Sequence, residues 1–403
     1  MANVAILGYG TVGSGVYEII KDNVRGKICA NGENVYVTRI LDIRDFPEHE
    51  QKEIFTKDFN DILNDNSISV VAEAMGGLHP AYEFTKALLE AGKSVVTSNK
   101  ELVATYGTEL LELAKSKNLN YMFEASVGGG IPIIRPMHQC LTANNILRIA
   151  GILNGTTNYI LHQMIENGKT FEAALSEAQE NGFAERNPAA DVEGHDACRK
   201  IAILASLASG LFVDYKDIQT EGITNITAED VKYASKLGYS IKLIGYLKDM
   251  NDKCPGTIYS IVAPMFVKKS CPLSDVNGVF NGILVTGDCV GDVMFYGRGA
   301  GKLPTASAIV ADVIDSVKHI ERSKKIEWVS PENNIMYPKD EAQFQYFVRV
   351  RDESILGKFK NTVEIRDVVP GETGLITETM KEAEMNALKE ELGDKISVIR
   401  ILD

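Results

Sequence analysis

In the first third of the chain, short runs of β-branched residues alternate with stretches whose apolar residues recur at helical spacing. Strands and helices that alternate in this way form a parallel sheet with helices on both faces, and such sheets bind ligands at the carboxyl ends of their strands. The pattern therefore predicts an α/β fold, with strands at 3–7, 35–41, 69–73, 94–97 and 120–124 and helices at 11–21, 80–91 and 102–117.

The alternation becomes less regular in the middle of the chain and changes again near the C-terminus. Residues 132–302 predict an α+β domain with helices at 171–181 and 197–207 and strands at 145–153 and 257–264. A polar, proline-punctuated segment, 331–340, is the predicted linker. The order strand, helix, strand, strand, helix, strand then predicts a ferredoxin-like unit, with elements at 345–349, 355–361, 363–368, 372–379, 381–392 and 396–402.

Composition narrows the class of protein. The 403 residues suffice for two or three domains, and 42 basic against 55 acidic side chains leave a net charge of −13. Proteins that bind nucleic acid through its phosphates normally have a basic face, so a nucleic-acid partner is not expected. There is no apolar run of membrane-spanning length, no signal peptide at the N-terminus, and no CxxC pair among six cysteines. We therefore expect a cytoplasmic protein with no membrane partner.

The first candidate site is a glycine-rich turn, GYGTVG, that follows a strand and opens a helix. Gly8 permits the tight turn, Gly10 allows backbone to approach a pyrophosphate, and Gly13 allows the helix to pack closely on the strand. The N–H groups at the helix start, at Thr11 and Val12, suit phosphate. A glycine turn without a ligand is the alternative, but the strand–turn–helix context favours a dinucleotide site in a Rossmann-type domain.

The residues after the second strand should select the cofactor. Asp42 is suited to a ribose 2′-hydroxyl, which favours NAD, whereas Arg44 is suited to a 2′-phosphate, which favours NADP. The spacing from the glycines is longer than usual. The preference between NAD and NADP therefore stays open, and a solvated surface charge is the alternative for each side chain.

Two further candidates follow later strands of the same predicted sheet. Lys100, in the sequence TSNK, could contact cofactor or substrate, although a loop lysine is commonly only solvated. The sequence EASVGGGIP, from Glu124 to Pro132, exposes main-chain carbonyls beside one carboxylate. That combination suits a hard cation or a closely approaching nicotinamide, and a hinge between domains is the equal alternative.

The densest cluster of chemistry is ERNPAADVEGHDACRK, residues 185–200. Asp196 and Lys200 are four residues apart and share one face of a predicted helix. Such a pair is usually a modest surface salt bridge, but Glu185, Asp191 and Glu193 crowd the same segment and favour a protonated lysine that can act as a general acid. Upstream, the sequence GILNGTTN offers uncharged donors for a carboxylate or amide, with ordinary helix capping as the alternative.

Together these motifs resemble the homoserine dehydrogenase family. Six blocks occur in the family's order and spacing over about residues 1–320: ILGYGTVGSGV, VVTSNKELVA, EASVGGGIPII, GILNGTTNYIL, AERNPAADVEGHDACRKIAILA and GRGAGKLPTASAIVAD. The resemblance implies NAD(P)-dependent interconversion of aspartate 4-semialdehyde and homoserine, in threonine, methionine and isoleucine biosynthesis. It also implies a homo-oligomer, a dimer or a tetramer.

The resemblance also implies roles for particular residues. Lys200 is the implied catalytic acid/base, with Asp196 beside it, and Lys100 contacts the cofactor and the reacting centre. The implied substrate-binding residues are Glu185, Asp191, Lys200, Gly155 and Thr156. The implied cofactor-binding residues are Gly8, Gly10, Thr11, Val12, Gly13, Arg44, Lys100 and Gly301. An alkali cation, Na⁺ or K⁺, would be held by the glutamate and loop carbonyls at Glu124, Val127, Gly129 and Ile131.

The implied domains are a dinucleotide-binding domain at 1–131 completed by 303–325, a substrate-binding and dimerisation domain at 132–302, and a regulatory domain at 340–403. The last resembles an ACT domain, the family's amino-acid-sensing module, but the loop 352–357 lacks the usual proline–glycine pair. Feedback by threonine is therefore a hypothesis.

Two other functions are weighed against this one. An aldehyde-oxidising dehydrogenase would need an activated cysteine, and no cysteine lies in a recognisable polar motif. A catalytically idle sensor of nucleotide and amino acid would not need Glu185, Asp196 and Lys200, all of which are present.

Overall fold

The structure is a computed structural model that describes residues 2–22, 29–30 and 33–403. Contacts divide the chain into two compact units. The first consists of Met1–Ala143, Ala202–Asp214 and Gly297–Pro331, and the second of Asn144–Ile201, Tyr215–Tyr296 and Glu332–Asp403. Within the described ranges, no helix is both long enough and apolar enough to cross a membrane.

The first unit is built on a seven-stranded sheet. Its strands are β1 (Ala2–Leu7), β2 (Cys29–Ala30), β3 (Glu33–Leu41), β4 (Phe55–Thr56), β5 (Ile68–Glu73), β6 (Ser94–Thr97) and β7 (Tyr121–Met122). Its helices are α1 (Thr11–Lys21), α2 (Asn60–Leu63), α3 (Ala81–Glu90), α4 (Lys100–Ser116) and, from late in the chain, α10 (Lys302–Lys318).

The strand order is β2-β3-β1-β5-β6-β7, with β4 beside β3. Every pairing is parallel except that of β2 with β3, which confirms the predicted α/β class of this region. β1 lies between β3 and β5, so later strands are added to the sheet on both sides of β1. The carboxyl end of β1 is therefore the switch point where such sheets bind ligands.

Helices α1 and α10 pack together in this unit, and their apolar faces share a core with β1 and β3. The two helices approach closely at Gly15, where a Cβ atom would lie 2.9 Å from the carbonyl oxygen of Lys302. Because α10 is contributed by residues 302–318, the unit needs sequence from both ends of the first 331 residues.

The second sheet has eleven strands. They are β8 (Ile146–Ile152), β9 (Gln219–Thr220), β10 (Tyr239–Asp249), β11 (Ile258–Lys268), β12 (Phe280–Gly287), β13 (Gly291–Arg298), β14 (Gln343–Val350), β15 (Val363–Ile365), β16 (Thr373–Ile376), β17 (Met380–Lys381) and β18 (Ile396–Ile401). The order is β13-β12-β8-β10-β11-β18-β14-β16-β15, with β9 beside β11 and β17 beside β14. The helices of this part of the chain are α5 (Gly155–Asn167), α6 (Phe171–Glu180), α7 (Ala189–Val192), α8 (His195–Ser209), α9 (Ala228–Leu237) and α11 (Glu382–Leu392).

The C-terminal strands continue this second sheet. β14 pairs antiparallel with β16 and β18, and β15 pairs antiparallel with β16. β18 also pairs in parallel with β11. The predicted linker is likewise joined to the unit, because Ile335 and Tyr337 exchange backbone hydrogen bonds with Ile258 at 2.8 and 2.7 Å.

One predicted helix is wrong, and the strands predicted at 120–124, 363–368 and 372–379 are shorter than expected. A 3₁₀ helix, Glu353–Lys358, stands where an α-helix was expected at 355–361, because the Asp352 side chain accepts from the Ser354 N–H at 3.1 Å and the backbone is already extended at Phe359. The strand predicted at 120–124 keeps only Tyr121–Met122, because a 3₁₀ turn begins at Glu124.

Candidate active site

The glycine turn leads from β1 into α1. Gly8 has φ of +90°, and a Cβ atom on Gly13 would lie 1.9 Å from the carbonyl oxygen of Gly8, so this close turn requires glycine. Gly10 precedes the helix without a side-chain cap, and a Cβ atom there would meet none of the described residues within 4 Å. The N–H groups at Thr11 and Val12 therefore start an 11-residue helix beside open space, where its dipole favours phosphate.

Asp42 follows β3 and is bound to this turn. One carboxylate oxygen accepts from the Tyr9 N–H at 2.7 Å, and the other accepts from the Arg44 N–H and Nε at 2.9 Å. Hydrogen bonds from the Arg44 side chain lower the pKa of Asp42 to about 2. The same arginine donates to the Tyr9 carbonyl at 2.9 Å. Asp42 thus holds the turn and is already neutralised by Arg44.

A cavity of about 530 Å³ lies beside these residues. Arg44, Lys52 and Lys57 contribute positive charge to its lining, and Phe46 and Phe55 contribute apolar ring surface. One acid, Asp45, also lines the cavity and pairs with Lys57 at 2.7 Å. The Arg44 guanidinium lies 5.2 Å from the centre of the Phe46 ring. A cavity with this combination can hold an aromatic base beside an anionic group.

The carboxyl ends of β5 and β6 are organised by Glu73, which the sequence reasoning missed. Its carboxylate is fully buried, accepts from the Thr97 hydroxyl, and has its pKa raised by burial. Asn99 caps α4 and donates to the Gly77 carbonyl at 2.6 Å. Lys100, the first residue of α4, is therefore set at the ligand-binding edge of the sheet. An acid at the end of an apolar strand was the available signal for Glu73.

The carboxylate of Glu124 is used within the fold. One oxygen accepts from the N–H groups of Ile133 and Ile134 at 2.6 and 2.8 Å, and the other accepts from the Arg135 N–H at 2.8 Å. No group of three or more histidine, cysteine, aspartate or glutamate side chains capable of holding a metal occurs in the described parts of the chain. A cation at this loop would therefore depend on main-chain carbonyls.

The loop after Glu124 offers such carbonyls. Gly129 has φ of +56°, and a Cβ atom there would lie 2.2 Å from the Gly299 carbonyl oxygen, so the backbone of the two segments is in close contact. The carbonyls of Val127, Gly129 and Ile131 are main-chain oxygens of the type that hard cations accept. Gly301, in the neighbouring segment, precedes α10 with φ of +120°.

The predicted lysine–aspartate pair lies in the second unit. The Lys200 ammonium donates to Asp196 Oδ2 at 2.7 Å and to the Leu153 carbonyl at 2.8 Å. Both side chains are about nine-tenths buried. The pair is thus a desolvated ion pair and not the solvated surface salt bridge that the i,i+4 spacing alone would suggest.

Asn154 connects this pair to a second carboxylate. Its side-chain nitrogen donates to Asp191 Oδ1 at 2.7 Å and to Asp196 Oδ2 at 2.9 Å, while its oxygen caps α5 by accepting from the Thr157 N–H at 2.9 Å. Burial, with a smaller contribution from Asp196, raises the pKa of Asp191 against the opposing effect of Asn154. Asn154 therefore both caps helix α5 and contacts the two carboxylates of the candidate site.

The other two acids that crowd the 185–200 segment, Glu185 and Glu193, are exposed. Glu185 is exposed, and its carbonyl accepts from Gln179 Nε2 at 3.0 Å. Glu193 lies in an exposed pair with His195 at 3.1 Å. Thr156, at the start of α5, donates to the Phe183 carbonyl at 2.7 Å, and Gly155 packs against the Val279 carbonyl. Of the three neighbouring acids, Asp191 is the one that hydrogen bonds join to Asp196 and Lys200.

A parallel sheet with a glycine turn at its switch point, together with a buried lysine–aspartate pair, defines a dinucleotide-dependent oxidoreductase. The family model for the NAD-binding domain of homoserine dehydrogenase matches residues 8–124, and the homoserine dehydrogenase model matches residues 132–314. The homoserine dehydrogenase of Synechocystis sp. is 43% identical over 332 residues, which are 81% of this chain and 76% of that protein.

Solved structures of homoserine dehydrogenases are also similar to this chain. The crystal structure of a homoserine dehydrogenase from Thiobacillus denitrificans has a TM-score of 0.89 and 33% identity, covering 100% of this chain and 98% of that one. A hyperthermophilic archaeal homoserine dehydrogenase in complex with NADPH has a TM-score of 0.66 and 29% identity, covering 78% and 97%. The chain belongs to the homoserine dehydrogenase family, and it is an NAD(P)-dependent oxidoreductase acting on a CH–OH group. The resemblance read from the sequence is confirmed, and the idle sensor is not favoured.

Proposed function

We propose that Lys200 transfers the proton in the reversible reduction of L-aspartate 4-semialdehyde to L-homoserine. The observation that carries this proposal is the buried ammonium of Lys200, directed by Asp196 and the Leu153 carbonyl. A positive group in a desolvated site stabilises the negative charge that develops on a carbonyl oxygen during reduction. Turnover of a Lys200→Ala variant tests the assignment.

The reaction divides into a hydride step and a proton step. NAD(P)H, when bound, supplies the hydride that reduces the aldehyde carbon. Lys200 donates a proton to the carbonyl oxygen, which becomes the hydroxyl group of homoserine, and the lysine is reprotonated from solvent. In the oxidative direction the neutral Lys200 amine accepts the hydroxyl proton. Asp196 holds the side chain in the required direction, while Lys100 binds polar groups at the edge of the other sheet.

Asp191 is proposed to bind the ammonium group of the amino-acid substrate. It lies one hydrogen bond from Asn154, which also contacts Asp196, so substrate ammonium and Lys200 would be set at a fixed separation. The N–H groups of Gly155 and Thr156, at the start of the 13-residue helix α5, suit the substrate carboxylate. Glu185, on the exposed loop before α7, is proposed as a further contact to the ammonium.

We infer a preference for NADP over NAD. Asp42 binds the Tyr9 amide and Arg44, so its oxygens are already committed within the turn. The adjoining cavity is lined by three cations, Arg44, Lys52 and Lys57, against one acid, Asp45, and this excess of positive charge suits a 2′-phosphate. The glycine turn from Gly8 to Gly13 would take the pyrophosphate, with Gly301 contributing backbone nearby.

This preference predicts that Arg44→Ala raises the KM for NADP(H) about tenfold and leaves the KM for NAD(H) nearly unchanged, because only NADP has the phosphate that the guanidinium pairs with. Steady-state kinetics with both cofactors at saturating homoserine measure this ratio. Lys86→Ala, which removes another exposed, ion-paired cation of the same unit, the partner of Glu109 on α4, is the matched control. Equal losses with both cofactors would contradict the preference.

We also propose a bound alkali cation, an oligomeric assembly and regulation by an effector. Carbonyls at Val127, Gly129 and Ile131, with the main chain of Glu124, would hold Na⁺ or K⁺, since the Glu124 carboxylate is engaged by backbone amides. Assembly as a dimer or tetramer and a cytoplasmic location are supported by the family and by composition. The threonine-effector proposal rests on the C-terminal strand order.

We also propose a functional division into 1–131 with 303–325, 132–302, and 340–403. The packing of α10 on α1 supports the first part. The pairing of β18 with β11 joins the third part to the second, so the proposed regulatory segment is in direct contact with the substrate-binding unit.

A further inference from the structure

A buried arginine from the last strand connects the C-terminal segment to the middle of the chain. Arg400, on β18, donates through its terminal nitrogens to both carboxylate oxygens of Glu221 at 2.7 and 2.8 Å. Its Nε lies 3.1 Å from Glu382, which also accepts from the Tyr346 hydroxyl at 2.7 Å. We call Arg400, Glu221, Glu382 and Tyr346 the Arg400 cluster.

The members of the cluster that come from the C-terminal segment are buried, and Glu221 is partly exposed. Arg400 has 3% of its side chain exposed and Glu382 has 1%, whereas Glu221 has 34%. Removal of the arginine would leave the buried Glu382 carboxylate without its cationic partner and would release Glu221. Bidentate guanidinium–carboxylate pairs also fix orientation, so Glu221 is held in direction as well as in distance.

Glu221 lies at the point where β9 ends. β9 is only two residues long and pairs with β11 at Ile261 and Val262, and the Glu221 N–H then donates to the Val262 carbonyl at 2.8 Å. Farther along, β18 pairs with β11 at Met265 and Phe266. Ile223 is fully buried and Gln219 also donates to Glu221 at 2.8 Å, so packing and backbone hydrogen bonds hold segment 220–223, and the pair with Arg400 adds an ionic anchor at Glu221.

Segment 220–223 supports the helix that carries Asp191. The Ile223 N–H donates to the Val192 carbonyl at 2.8 Å, and a Cβ atom on Gly222 would lie 2.3 Å from that same carbonyl oxygen. Thr220 packs against Gly194, which lies in the turn before α8. A Cβ atom added to Gly194 would lie 3.1 Å from the methyl carbon of Thr220. The segment thus contacts the backbone on both sides of Glu193, between Asp191 and Asp196.

We propose that Arg400 is a positioning residue for substrate binding: by clamping Glu221 it holds segment 220–223 against α7 and so sets Asp191 for the substrate's ammonium group. This inference rests on the proposed role of Asp191. It gives the C-terminal segment an effect on amino-acid affinity through contacts inside one chain, without requiring an effector.

A second buried arginine provides the matched control. Arg349, on β14, is also 3% exposed and pairs with Asp230 at 3.0 Å and Glu372 at 3.1 Å, and it donates to the Thr227 hydroxyl at 3.0 Å. It joins the C-terminal strands to α9, and its hydrogen bonds and ion pairs run to α9, Thr227 and the C-terminal strands rather than to segment 220–223. Loss of either arginine disturbs a buried ionic cluster of similar kind, but only Arg400 touches Glu221.

The experiment compares full-length Arg400→Met, Arg400→Lys, Glu221→Gln and Arg349→Met by thermal unfolding and steady-state kinetics. Arg400→Met should raise the KM for homoserine about tenfold, with kcat and the KM for cofactor within about twofold of wild type. Arg400→Lys should recover part of that affinity. Arg349→Met should lower the unfolding temperature comparably and leave the KM for homoserine unchanged.

Glu221→Gln, at a partly exposed position, keeps the test decisive if Arg400→Met does not fold, and it should also raise the KM for homoserine. An equal rise of that KM in Arg349→Met, or none in Glu221→Gln, would overturn the proposal and leave Arg400 with a structural role alone. Asp191→Asn distinguishes a failure of the proposed role of Asp191 from a failure of the proposed role of Arg400. If it leaves the KM for homoserine unchanged, the proposed role of Asp191 fails, and this inference with it; if it raises that KM while the Arg400 and Glu221 variants do not, only this inference fails.

Discussion

Lys200→Ala is expected to lose about 10²- to 10⁴-fold in kcat in both reaction directions, the usual contribution of a proton-transferring side chain. The ammonium that stabilises the developing alkoxide and supplies its proton is removed, while the glycine turn and the Arg44 cavity in the other unit are untouched. The affinity for cofactor should therefore stay within about twofold of wild type. Steady-state absorbance assays with saturating cofactor measure kcat, and fluorescence titration measures cofactor binding.

Lys200→Arg is the control that separates charge from proton transfer. A guanidinium can still pair with Asp196, but it does not release a proton in proteins. The arginine variant should thus remain almost as slow as the alanine variant. Recovery of most of kcat by arginine would show that the site needs positive charge only, and wild-type turnover by the alanine variant would remove Lys200 from the mechanism.

Asp191→Asn is expected to raise the KM for homoserine roughly 30- to 1000-fold, since loss of one partner of a buried charge pair costs about 2–4 kcal/mol. The amide keeps the shape of the carboxylate but cannot neutralise the ammonium of the substrate. Glu193→Gln is the matched control, two residues away in an exposed pair with His195, and its KM should stay near wild type. Similar effects in both variants would indicate general electrostatics of the segment.

The raised pKa of Asp191 also predicts how activity depends on pH. Only the carboxylate form binds the ammonium, so kcat/KM for aspartate 4-semialdehyde, whose reduction uses the protonated Lys200, should fall on acidification, and the fall should begin at a higher pH than for an ordinary aspartate. In Asp191→Asn that acid limb should be absent. A wild-type profile whose acid limb persists unchanged in the variant would assign the limb to another group.

Most of the longer elements of the first unit were predicted from sequence, whereas the short elements β2, β4 and α2 were not. Helix α1 and strand β6 have the predicted limits, because strands buried on both faces are continuous apolar runs and a glycine turn marks where the helix begins. The prediction failed at 120–124, where the Glu124 N–H donates to Asp312, a residue 188 positions away. No local pattern reports such a contact.

The candidate site was predictable only where its residues are close together in the sequence. The i,i+4 spacing placed Asp196 beside Lys200, and the ion pair is there. The Leu153 carbonyl and the bridging amide of Asn154 come from the end of β8, more than 40 residues away, so the desolvated setting of the lysine depends on tertiary packing. The role of Glu221 and Arg400 is more remote still, since 179 residues separate them.

Proton transfer by Lys200 is tested most directly by a single-turnover measurement on Lys200→Ala loaded with NADPH. After rapid mixing with aspartate 4-semialdehyde, we expect the absorbance of the bound reduced cofactor to decay about 10²- to 10⁴-fold more slowly than in wild type, with the cofactor bound throughout. Decay at the wild-type rate would rule out Lys200 as the proton donor, because reduction of the aldehyde would then proceed without the Lys200 proton.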